Sequence, residues 1–246
     1  PEDRKAIKAF VKRYEETPLA NRLEAVRLNY LGDKQLWKDY YREYEKSSSV
    51  RLQCNYLRSM AAVKGKSDRW FEDVKSIWLT GKTLHKDCSP LFNDFYATGK
   101  VTPAMLLQRI ELSMEKNNLS LARFLAKKLP ADDKPWYDQW VAMHKEPLPN
   151  LMAALKASDS KPLRDLVVHG VKRYAREDTY LAWELWRGTL KPNFAFSDEQ
   201  VRNVEQALVL RAGWRHLPEA NVMYAGVDES VLNQEARQWR IRSALR

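Results

Sequence analysis

The 246 residues are 44% hydrophobic and 30% charged, which suits one or two folded cores. No run approaches the ~20 uncharged apolar residues of a membrane span, and neither G-x-G-x-x-G nor G-x-x-x-x-G-K occurs. Forty-two Lys and Arg against 32 Asp and Glu leave a net charge of +10, a balance that favours anionic partners, although the bases are scattered among acids.

The chain opens with P-E-D-R-K-A-I-K-A-F, which reads as a helix with Pro1 in its first turn and suggests an internal boundary or a missing leader. Arg4, Lys5, Lys8, Lys12 and Arg13 form one basic cluster here, and Arg237, Arg240, Arg242 and Arg246 form another at the far end; solvated helix faces account for both. Trp37, Tyr40, Tyr41 and Tyr44 keep helical spacing and offer either core or an exposed aromatic group. Trp70, Phe71, Val74, Ile77 and Trp78 make an apolar stripe; Leu106, Leu107, Ile110 and Met114 make another; Leu121, Ala122, Leu125 and Leu129 a third. Ser89-Pro90 and Thr102-Pro103 read as N-cap plus first-turn proline, and Ser197 with Gln200 as a capping box.

Gly32, Gly65, Gly81 and Gly99 fall where helices should end, at spacings of 33, 16 and 18 residues. A helix pair then occupies about 34 residues, the period of helical-repeat solenoids of the tetratricopeptide type. Breaks at Pro130, Pro135, Pro147–Pro149 and Pro162 read as loops between helices. The expectation is a single all-α domain over residues 1–246, a superhelical solenoid of stacked antiparallel helix pairs.

Few residues suggest chemistry. The four histidines, His85, His144, His169 and His216, lack metal-ligand spacing and read as surface or interhelix residues, so neither metal nor cofactor is expected. The carboxylate pairs Asp132-Asp133, Asp198-Glu199 and Asp228-Glu229 sit at helix starts, where they complement the macrodipole. No G-x-S-x-G is present. Cys54 and Cys88 are the two cysteines; they could be buried thiols, but without a C-x-x-C or a cluster of further ligands a disulfide is favoured, pointing to an oxidising compartment.

Several words of this sequence resemble a known family. Q-C-N-Y at 53–56, W-L-T-G-K at 78–82, D-C-S-P-L-F at 87–92, L-L-Q-R-I-E-L-S-M at 106–114, N-N-L-S-L-A-R-F-L-A at 117–126, K-L-P-A-D at 128–132 and E-A-R-Q-W-R-I-R-S-A-L-R at 235–246 are similar to the superhelical N-terminal region of the soluble lytic murein transglycosylases of Gram-negative bacteria. The likeness is greatest over residues 53–132. It implies a periplasmic parent enzyme that cleaves the β-1,4 bond between N-acetylmuramic acid and N-acetylglucosamine, leaving 1,6-anhydromuramyl ends. It also implies a disulfide between Cys54 and Cys88, and two partners: peptidoglycan strands and the parent's own C-terminal lysozyme-like catalytic domain.

The family's catalytic glutamate lies in an E-S-x-F type motif followed by G-L-M-Q. Here Glu229-Ser230 is the one Glu-Ser, Leu232 holds the aromatic's place and no G-L-M-Q occurs, so catalysis is not carried over to Glu229. The expected role is a non-catalytic scaffold, the catalytic domain and the first part of the superhelix lying outside these residues. A stand-alone repeat adaptor for peptides or proteins is the alternative. A nucleic-acid-binding repeat is weaker still, because the expected disulfide argues against the cytosol.

Overall fold

Local signals set the helix boundaries. In the computed structural model, which describes residues 4–14 and 17–245, the described residues form helices and loops with no strand. Pro1 and Arg246 lie outside the described residues, as do the side chains of Arg4, Lys5 and Lys8. The chain groups into two compact units, Pro1–Pro130 and Ala131–Arg246.

The first unit runs α1 (Arg4–Arg13), α2 (Pro18–Asp33), α3 (Trp37–Glu43), α4 (Val50–Lys64), α5 (Asp68–Trp78), a 3₁₀ turn (Lys86–Cys88), α6 (Ser89–Ala97), α7 (Pro103–Glu115) and α8 (Leu119–Ala126). Sequential helices pack on each other, α3 on α4 and α7 on α8 most extensively. Thr102 caps α7 as expected, its Oγ1 accepting from Met105 N at 3.3 Å. Ser89 departs from its expected cap role. The 3₁₀ turn leads directly into α6, so Cys88 takes the cap position and Ser89 is already helical.

The four glycines divide by mechanism. Gly65 (φ 83°) and Gly99 (φ 69°) take positive φ at helix C-termini, as expected. Gly32 still lies within α2, where a Cβ would meet Asn55 Nδ2 of α4 at 2.7 Å, and Gly81 lies in the loop after α5 against the backbone of α7. Both are close-approach positions rather than caps.

Trp70, Trp78, Tyr40 and Phe95 are fully buried. Trp70 Nε1 donates to Leu57 O at 2.8 Å, and Tyr40 Oη donates to Leu52 O at 2.9 Å, so each large ring also satisfies its polar atom. The aromatic run at 37–44 is thus core at Tyr40, while the half-buried Tyr44 stacks on Tyr56 at 4.2 Å.

The second unit runs α9 (Lys134–Lys145), α10 (Pro147–Ala154), α11 (Lys161–Tyr174) and α12 (Thr179–Leu185), followed by a π-helical turn (Trp186–Leu190). It continues through α13 (Lys191–Asn193), α14 (Asp198–Trp214), α15 (Ala220–Ala225) and α16 (Gln234–Ala244). The capping box at α14 is present in both directions, Gln200 N to Ser197 Oγ at 3.3 Å and Ser197 N to Gln200 Oε1 at 3.0 Å. Asp132-Asp133, Asp198-Glu199 and Asp228-Glu229 all stand at or beside helical starts.

The buried Glu205 of α14 locks the π-helical turn. Its Oε1 accepts from Trp186 Nε1 at 3.3 Å and from Lys191 Nζ at 2.7 Å. Substituting Glu205→Ala leaves the indole N–H buried without an acceptor, and should destabilise the second unit by about 2 kcal/mol. Urea unfolding measures this; Glu205→Gln, which keeps an acceptor, should recover part of the loss.

Candidate functional site

Most of the words that carry the family resemblance, those between residues 53 and 126, lie in the first unit. Cys54 lies in the second turn of α4 and Cys88 ends the 3₁₀ turn; they are fully buried and joined by a disulfide, with Cα atoms 5.2 Å apart. Arg51, one turn before Cys54, donates through Nε to Asp87 Oδ2 at 2.5 Å and pairs with Asp33 Oδ1 at 3.1 Å. The disulfide and the Arg51–Asp87 pair tie α4 to the segment that starts α6, and the Asp33 pair ties α4 to the end of α2.

A second brace joins W-L-T-G-K to α7 and α8. Asn118 caps α8 with its Oδ1, accepting from Leu121 N at 3.3 Å, while its Nδ2 donates to Gly81 O at 3.2 Å and Thr83 Oγ1 at 3.0 Å. Arg109 of α7 donates through Nε to Thr80 O at 3.2 Å. Its guanidinium lies 4.6 Å from the Trp78 ring centroid and 5.5 Å from that of Phe92. Trp78 Nε1 donates to Tyr96 Oη at 3.0 Å.

Arg109 departs from the expected stripe. The buried face of α7 is Leu106, Arg109, Ile110, Ser113 and Met114, with Leu107 only half-buried. The residue three places after Leu106 belongs on that face by helical geometry, and an Arg there was the available signal. Burial pushes its pKa down from the usual arginine range.

These helices border a groove of about 310 Å³ lined by Phe92, Asn93, Tyr96, Arg109 and Phe124, with Thr83, His85 and Ser120 among its other contacts. Lys128 Nζ sits 4.4 Å from the Tyr96 centroid and 5.3 Å from that of Phe124.

In the second unit, His144 of α9 and His169 of α11 are buried with Nδ1 and Nε2 3.1 Å apart. The Trp140 ring centroid lies 4.8 Å from that of His169, and Arg173 Nε donates to His144 O at 3.1 Å. His85 and His216 are exposed. The interhelix role expected of the histidines therefore falls to one pair, and no group of three or more His, Cys, Asp or Glu suited to a metal occurs among the described residues.

Burial, then the neighbouring Arg173 and Arg176, push His144 down to about 4; burial, then His144, Lys172 and the same arginines, push His169 down to about 3. Both imidazoles are neutral when folded, whereas the unfolded chain takes up protons below about pH 6.5. Stability should therefore fall as pH drops through that value, by about 2 kcal/mol between pH 7 and 5.5 for the two together, and continue falling toward the folded-state pKa values. Urea midpoints across that range check this, and His144→Gln with His169→Leu should flatten the dependence.

Glu229 is exposed in a 3₁₀ turn and pairs with Arg237 at 3.2 Å and with Arg240, both on α16. Among the described residues no helix is long and apolar enough to cross a membrane.

No protein-family model matches the chain. Curated relatives do: it is 24% identical over 244 residues to the soluble lytic murein transglycosylase of Salmonella typhimurium and 24% over 240 residues to that of Escherichia coli K12, covering 98% and 96% of this chain. It spans 37% of the length of either relative. The crystal structure of an inactive mutant of the lytic transglycosylase Slt from Pseudomonas aeruginosa superposes with a TM-score of 0.77 at 23% identity, covering 99% of this chain and 39% of that one. The 70 kDa soluble lytic transglycosylase of Escherichia coli gives 0.65 at 23% identity, over 98% of this chain and 36% of that one. The chain is related over nearly its whole length to the soluble lytic murein transglycosylases, and shares the all-α fold of the part it matches.

Proposed function

We propose that the chain is the non-catalytic helical scaffold of a periplasmic lytic transglycosylase. The parent would cleave the N-acetylmuramic acid–N-acetylglucosamine bond of peptidoglycan to 1,6-anhydromuramyl products, through a lysozyme-like domain joined downstream of these residues. One observation carries the reading: sequence similarity to soluble lytic murein transglycosylases runs through 96–98% of this chain, yet takes up 37% of their length. In this proposal residues 1–246 serve as one scaffold that holds the catalytic domain and shapes access for glycan strands.

The charge supports it. A net +10 chain suits a polymer whose stem peptides carry carboxylates. The disulfide supports an oxidising compartment. Glu229 is engaged by two arginines in a turn that lacks the family's catalytic words, which supports a non-catalytic role.

The purified 246-residue chain should co-sediment with isolated peptidoglycan sacculi and release no 1,6-anhydromuropeptides. Detection of those products from this chain alone would overturn the non-catalytic reading, and loss of co-sedimentation would overturn the wall-facing one.

A further inference from the structure

The groove beside the disulfide-braced block is lined by Arg109 and flanked by Lys128, and neither cation has a carboxylate partner among the described residues. Arg109 is 4% exposed, yet no carboxylate among the described residues pairs with it; its contacts are the Thr80 carbonyl, the rings of Trp78 and Phe92, and the Tyr96 side chain. Lys128 likewise rests on the faces of Tyr96 and Phe124 with no carboxylate partner among the described residues. A buried guanidinium is costly unless something of opposite charge approaches it. Arg109 is one of the residues that line the groove, so the small part of it that stays exposed is within reach of a ligand there.

The walls narrow the chemistry further. Phe124 keeps 53% of its surface exposed at the groove mouth, and Phe92 is half-buried beside it. Asn93, on the same turn of α6, adds an amide, and Ser120 a hydroxyl. Aromatic faces, a planar amide and one lining cation in about 310 Å³, with Lys128 beside them on the Tyr96 and Phe124 rings, suit a small, C–H-faced, hydroxyl-rich ligand with one carboxylate. Neither a neutral sugar nor an extended peptide uses all of these groups.

We propose that this groove is a subsite for a carboxylate-bearing N-acetylated sugar, Arg109 and Lys128 receiving the carboxylate while Phe92 and Phe124 pack on the ring face. The ligand class rests on the wall-facing reading above. Within that reading, the scaffold would grip a muramic acid unit of the strand at a point set by these side chains.

Calorimetric titration of the 246-residue chain with the disaccharide N-acetylglucosaminyl-N-acetylmuramic acid tests this, with N,N′-diacetylchitobiose as the neutral analogue and alanyl-glutamate as the acidic peptide. The muramyl disaccharide should bind at least about tenfold more tightly than either comparison ligand. Lys128→Gln and Phe124→Ala, which alter exposed side chains, should each weaken it about fivefold or more while leaving thermal unfolding unchanged. Absent muramyl binding, equal binding of chitobiose or of the dipeptide, or binding unaffected by both substitutions would each overturn the proposal. Sacculus co-sedimentation separates the two readings: retained in the absence of muramyl binding, it sinks this subsite alone, whereas its loss in the unaltered chain counts against the wall-facing reading as well.

Discussion

Replacing Gly81 by alanine should destabilise the first unit by about 4 kcal/mol, a loss at the upper end of single substitutions. An added Cβ would stand 2.0 Å from Leu112 O and 2.5 Å from Leu112 C, both backbone atoms of α7. Side chains yield by changing rotamer; a helix backbone yields only by moving bodily. Separation of the loop from α7 would stretch the Asn118–Gly81 and Arg109–Thr80 hydrogen bonds, each 3.2 Å long, and release Arg109 from its seat on Trp78. Hydrogen exchange should show lost protection in α7 and α8 while α11 and α14 are unchanged. An alanine variant within 1 kcal/mol of the parent would mean the loop and α7 are not in backbone contact.

The second large effect is expected at the disulfide. Substituting Cys54→Ala and Cys88→Ala together should cost the first unit about 4 kcal/mol, the chain-entropy value for cross-linking residues 34 apart. The fold should survive, because α4 still packs on the 3₁₀ turn and on α6, and Arg51 still bridges Asp33 and Asp87. Denaturant unfolding with and without reductant provides the measurement. In the unaltered protein, reductant should move only the transition of the first unit; in the double variant it should move nothing. Two free thiols on titration of the native, non-reduced protein would sink the oxidising-compartment assignment.

Both effects sit in the block whose words carry the family resemblance, and the structure gives those words a physical meaning. Q-C-N-Y and D-C-S-P-L-F supply the two halves of the covalent tie. W-L-T-G-K supplies the carbonyls and the glycine that α7 and α8 clasp, and N-N-L-S supplies the asparagine that both caps α8 and holds the Gly81 carbonyl. Such residues brace the fold.

Helix positions were legible because their determinants are local. Apolar residues at Trp70, Phe71, Val74 and Trp78 recur with the turn of a helix, and all four are buried. Thr102 before Pro103 and Ser197 before Gln200 satisfy N–H groups three residues away, so their geometry is contained in the spacing. The all-α class followed from the same evidence.

Gly32 and Gly81 mark where local evidence gave out. A glycine near a helix end reads as a cap, and only the approach of Asn55 or Leu112 from elsewhere in the chain reveals another purpose. Ser89 lost its cap role for a similar reason, since the disulfide-anchored turn before it was already helical.

By itself, then, the sequence determined the helices, caps such as Thr102 and Ser197, the class of fold and, through its cysteine-bracketed words, the family it is related to. Tertiary structure alone decided which polar groups would be buried and what they would meet. His144 and His169 are 25 residues apart, and Arg109 reaches a carbonyl 29 residues away. The groove between Phe92 and Phe124 exists because α6, α7 and α8 converge there. Periodicity records which side of a helix is covered, because that depends on neighbours three and four places along. What covers it is decided by contacts between distant segments, and no spacing within a helix encodes those.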